Sequence, residues 1–167
     1  MSIGYLVYPD LTSRTLTFEI EEAARFLGAL ENDRVYVAFQ DDGETLAALY
    51  SAGAKAGGAE PNPVASMARN KAATGNANFL TDPTSAICGP VIFIGADGAD
   101  VTEKDIAKVD RGIQAVRNYR DDEPDEYSLW RGSVLAIARR ENDADEYSLW
   151  RGSVLAIARR ENDADGA

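Results

Sequence analysis

The chain has 167 residues, 45% of them hydrophobic and 27% charged, with a formal net charge of −11. That length supports one domain with a real core but not two ordinary ones. Histidine is absent and Cys88 is the single cysteine, which excludes an intrachain disulfide, a thiolate metal cluster and any Ser-His or Cys-His nucleophile pair.

From the start, "IGYLVYP" (3–9) is a Tyr/Val-rich run closed by Pro-Asp and reads as a strand. "RTLTFEI" (14–20) alternates Leu16, Phe18 and Ile20 against polar residues, the period of a half-buried strand. "EEAARFLGALE" (21–31) places two acids in a first turn and Ala24, Leu27 and Leu30 at helical spacing, which predicts a short amphipathic helix. "RVYVAFQ" (34–40) and "TLAALYS" (45–51) flank "DDGE", whose Asp42-Gly43 suits a type I′ turn, so a hairpin is expected.

Residues 51–88 are rich in Ala, Gly, Asn and Pro and read as a long loop, mobile or a functional flap, with a helix over 64–73 stopped by "TGNAN". "GPVIFIG" (89–95) is a continuous apolar strand expected at the centre of the sheet. Thr102 and Asp105 have capping-box spacing, and Ile106, Val109, Ile113 and Val116 continue a helix over roughly 102–119. The expected fold class is α+β: a mostly antiparallel sheet of about five strands with packed helices.

The C-terminal quarter differs. Residues 1–120 hold 11 basic and 16 acidic side chains (−5), whereas residues 121–167 hold 6 and 12 (−6). "DEYSLWRGSVLAIARRENDA" occupies 125–144 and is repeated letter for letter at 145–164. We divide the chain into an α+β domain (1–120), an acidic linker with an amphipathic helix (121–144), and a second copy of that helix with a short tail (145–167). Tyr127, Trp130, Val134 and Ile137 fall on one helical face, widened by Leu129 and Leu135; Tyr147, Trp150, Val154 and Ile157 repeat that face. Twenty residues of continuous helix would turn the second face by about 200° and advance it about 30 Å. Two helices with a joint at "ENDAD" (141–145) are therefore expected, one docked as core and one surplus. The surplus helix packs elsewhere, stays exposed or offers a route to homo-oligomers. The perfect identity of the copies points to a very recent or engineered, dispensable duplication.

The order of segments before the repeat is similar to a domain-of-unknown-function family encoded mainly by phages, plasmids and other mobile elements. The resemblance rests on the opening strand, the "EEAARFLG" helix, the "VYVAFQDDGETLAALYSAG" hairpin, "EPNPVA", "GPVIFIGADG" and the "VTEKDI" helix. It spans about residues 3–112, has an insertion between Asn62 and Cys88, and contains no catalytic signature. This chain has "SAGA" (51–54) where the family tends to carry an Asn-Glu-Glu-Gly-like turn. The resemblance implies an accessory protein of a mobile element.

Candidate chemistry is sparse. "AGAKAGG" (52–58) is glycine-rich around Lys55 but lacks the spacing of a phosphate-binding loop. Asp97, Asp100 and Glu103 lie close together without calcium-loop spacing. Cys88, beside Ile87 and Gly89, reads as a buried apolar thiol. Asp121, Asp122, Glu123, Asp125 and Glu126 form an acidic run suited to a basic protein surface or to imitating DNA phosphates. The leading expectation is a non-enzymatic protein that binds a host or phage protein, as an anti-defence inhibitor or acidic DNA mimic. The alternative is a nucleotide-like ligand held by the 51–88 loop, with Lys55 and Asn62 as its residues. No cofactor, metal, membrane or direct nucleic-acid partner is expected. A start lacking a basic, apolar leader points to the cytoplasm.

Overall fold

The computed structural model describes residues 1–28, 32–39, 44–75 and 83–137. Five antiparallel strands form one sheet: β1 (Ser2–Val7), β2 (Ser13–Phe18), β3 (Asp33–Val37), β4 (Leu46–Tyr50) and β5 (Val91–Gly95), in spatial order β2-β1-β5-β4-β3. This is the expected α+β class, with the continuous apolar strand at the centre of the sheet. β5 pairs with β1 through Tyr5↔Phe93 and with β4 through Ala48↔Phe93. The expected hairpin pairs Val37 with Leu46; its turn, 40–43, lies outside the described residues.

The apolar run of β5 follows from burial on both faces. Val91 and Phe93 join one core cluster with Tyr5, Val7, Leu46 and Ala48. Ile92 and Ile94 join the opposite cluster with Leu6, Leu16, Phe18 and Leu49. Ala23 of α1 (Ala23–Phe26) and the following Leu27 cover that second face. The first face is covered by α3 (Pro63–Thr74) through Val64, Ala65 and Ala68, and by α4 (Glu103–Asp122) through Val109, Ile113 and Val116.

The 51–88 segment departs from the expected loop. It contains α2 (Ala52–Ala56), α3, a 3-10 turn (Pro83–Ser85) and an antiparallel bridge between Pro61 and Cys88. The anticipated 64–73 helix is thus a core element. It ends on Gly75, whose φ of 73° is the left-handed conformation glycine adopts without strain. Periodicity missed the rest because α2 and the 3-10 turn bury no residue fully, and the bridge beside them is made by Pro61 and Cys88 and not by a patterned apolar run.

The capping box of α4 is present: Asp105 N donates to Thr102 Oγ1 at 3.1 Å and Thr102 N donates to Asp105 Oδ2 at 3.0 Å. Lys108, 4% exposed, keeps its ammonium on Glu44. α4 runs through Asp122, and after Glu123 the chain is helical again over 124–137, here α5. The acidic stretch expected as a linker is therefore a helix corner. Pro124 suits the first turn of α5 because no intrahelical acceptor awaits its missing N–H. Among the described residues, no helix is long and apolar enough to cross a membrane.

Candidate functional site

The corner between α4 and α5 displays five exposed carboxylates within six residues: Asp121, Asp122, Glu123, Asp125 and Glu126. Its geometry is pinned from beneath. Trp130, 5% exposed, and Val134, 1% exposed, pack in one apolar cluster with Ala86 and Cys88, ringed by Ala54, Ala59, Tyr119 and Tyr127. Tyr127 is half-buried, with its ring centroid 6.0 Å from that of Trp130. The guanidinium of Arg120 lies 5.6 Å from the Tyr127 ring centroid, a cation–π distance. The Tyr119 hydroxyl donates to Glu126 at 2.6 Å, and Arg131 makes two hydrogen bonds to the Glu60 carboxylate, one of them 2.7 Å.

These contacts seat part of the predicted helical face. Trp130 and Val134 are core, while Tyr127 and Ile137 are half-buried. Leu129 does not widen the face; it is 73% exposed, because it stands about 100° around the helix from Trp130. Tyr147, Trp150, Val154 and Ile157 lie outside the described residues.

Burial pushes the Cys88 thiol up to about 11, beyond any help from Lys55, so it stays protonated and a poor nucleophile at neutral pH. The Tyr119 hydroxyl is pushed up to about 12, first by desolvation and then by the neighbouring Glu126 carboxylate. A hollow of about 460 Å³ beneath the corner is lined by Tyr8, Asp10, Glu60, Arg120, Tyr127 and Arg131. Its cations face carboxylates and tyrosines already engaged with them.

A larger cleft, about 720 Å³, opens beside α2. Backbone and small side chains wall it, among them Gly28, Ser51, Gly53, Gly58 and Gly89, with Asp33 at one edge. The two residues expected to serve a ligand loop do not line it. Lys55 borders a separate recess of about 160 Å³ with Arg69 and Thr84, and its Nζ donates to the Thr84 carbonyl at 2.5 Å. Asn62 is fully buried: Nδ2 donates to the carbonyls of Val7 (3.1 Å) and Gly89 (3.0 Å), and Oδ1 caps α3 by accepting from Ala65 N. Asn62 thus clamps strand, loop and helix together and has no free polar atom for a ligand.

Two acids of the 97–103 stretch hold backbone amides as well, one local and one on the opening strand. Asp97 accepts from Ala99 N and Asp100 accepts from Ile3 N. Among the described residues, no group of three or more acidic or cysteine side chains is arranged to hold a metal ion. No protein-family model matches the chain, and no curated protein or solved structure matches it.

Proposed function

We propose that this chain is a non-enzymatic accessory protein of a mobile element that binds a protein partner through the acidic corner. An anti-defence inhibitor, acting as an acidic DNA mimic, is the form of that activity the charge suits. The observation that carries the reading is the set of five exposed carboxylates held on a corner that Trp130, Val134 and Arg131 anchor to the domain. Pre-positioned charges lose little ordering entropy on binding, and their field steers a basic surface into place. The test is capture from a lysate of a phage- or plasmid-bearing host, comparing three chains. The wild type and a control neutralised at Glu19, Glu21, Glu22, Asp33 and Glu103 should recover the same partner. A chain neutralised at the five corner acids should lose it, and equal recovery by all three contradicts the reading.

A second reading rests on the glycine-walled cleft, whose volume of about 720 Å³ falls in the range of small-molecule sites. Its test is thermal shift with a nucleotide panel. A shift abolished by Gly53→Leu, where an added Cβ meets only the Ser51 hydroxyl, at 3.9 Å, supports a ligand there. No shift with any nucleotide counts against it.

A further inference from the structure

The groove that holds α5 contacts the first repeat through Glu126, Tyr127, Trp130, Arg131 and Val134. Each has an identical counterpart twenty positions on: Glu146, Tyr147, Trp150, Arg151 and Val154. The partners on the domain side, Glu60, Ala86, Cys88, Tyr119 and Arg120, belong to neither copy. None of these contacts among the described residues distinguishes one copy from the other; the chain leading into each differs. We propose that the groove is a site for two alternative occupants, and that residues 145–164 of the same chain dock in it whenever the first copy is dislodged.

Chain connectivity sets the preference. Glu123 and Pro124 link α4 to the first copy, whereas residues 123–144, 22 in all, must close a loop to deliver the second. Closure probability falls roughly as the three-halves power of length, which favours the first copy roughly 40-fold. That margin explains why the first copy occupies the groove. It is also smaller than the loss from stripping a buried Trp and burying a charge, so a lesion confined to the first copy hands the groove to the second. The tether favours the second copy of the same chain over one from another molecule, because a short linker holds its segment at a millimolar effective concentration.

Trp130 and Trp150 are the only tryptophans, so each copy carries its own reporter. In W150A, Trp130 should be shielded from acrylamide. In W130A/V134D, the remaining Trp150 should be shielded to a comparable degree, with the fold retained. Adding V154D should raise quenching several-fold, to that of an exposed indole. Cys88 supplies the location. Under oxidation, V154C in the W130A/V134D chain should form a disulfide with Cys88 within a monomer, as V134C should in W150A. An open Trp150 or loss of fold in W130A/V134D overturns the proposal. So does a cross-link formed with V134C but not with V154C. Shielding or cross-linking that grows with protein concentration overturns the same-chain assignment.

Discussion

Strand β5 and helix α5 are both partly sealed from water, but by different amounts of structure. β5 is bonded on both edges, to β1 and β4, and buries Val91, Ile92, Phe93 and Ile94 in two separate cores. α5 is held by Trp130 and Val134 in a small satellite cluster, by Tyr127 at the margin of the first core, and by one exposed ion pair, one hydrogen bond from Tyr119 and one ring contact. The difference teaches where cooperativity lies: the sheet stands or falls with the whole domain, whereas α5 has few enough contacts to open alone.

The largest effect should come from Phe93→Ala, which empties a fully buried site where the central strand meets both helices of the first face. A loss of about 3–5 kcal/mol is expected in denaturant melts, with sheet and helix probes moving together. Asn62→Ala comes next. It removes the α3 cap and leaves the Val7 and Gly89 carbonyls without that amide, for a loss of about 2–4 kcal/mol in the same melts. Because Gly89 follows Cys88, α5 probes should respond along with the sheet.

Alkaline pH should separate the two regions. Buried Cys88 holds its proton to about 11, against an ordinary 9.0. The stability this lends is intact below about pH 9 and is lost as pH rises towards 11, when the folded thiol ionises beneath α5. The loss is about 1–2 kcal/mol once solvent screening is allowed for. It should appear in Trp fluorescence before the sheet signal in far-UV circular dichroism, and be absent in C88A. Arg131→Ala should have the smallest effect, under about 1 kcal/mol, because its pair with Glu60 is exposed. It should loosen α5 in high-salt-sensitive fashion and leave the sheet melt unchanged.

Most of the sheet was legible because large apolar side chains carry strong periodic signals. Leu16 and Phe18 alternate as a strand on a half-exposed edge must, and the run Val91–Gly95 is apolar throughout because both its faces are buried. The Thr102–Asp105 cap was equally readable, since its chemistry is local. The 51–88 segment was not, because its order comes from distant partners. Asn62 reaches strand and loop carbonyls, and the Ser66 hydroxyl both donates to the Asn62 carbonyl and accepts from Ile87 N. Small residues at such crossings resemble loop composition until the partner is known. The inward face of the first repeat was foreseen from its spacing, but its width was not: Leu129, about 100° from Trp130, faces solvent, and the Ala86 and Cys88 partners of Trp130 lie too far away in sequence to be read locally.

Hydrogen exchange resolved by residue tests most directly the claim that α5 is a docked but separately opening part of the fold, holding the acidic corner in place. Amides of β5 should exchange only with global unfolding. Those around Trp130 and Val134 should show clear protection that fails at lower denaturant. Exchange of α5 amides at random-coil rates, with β5 protected, would contradict the docked corner on which the binding surface depends; identical protection of the two would contradict their independence.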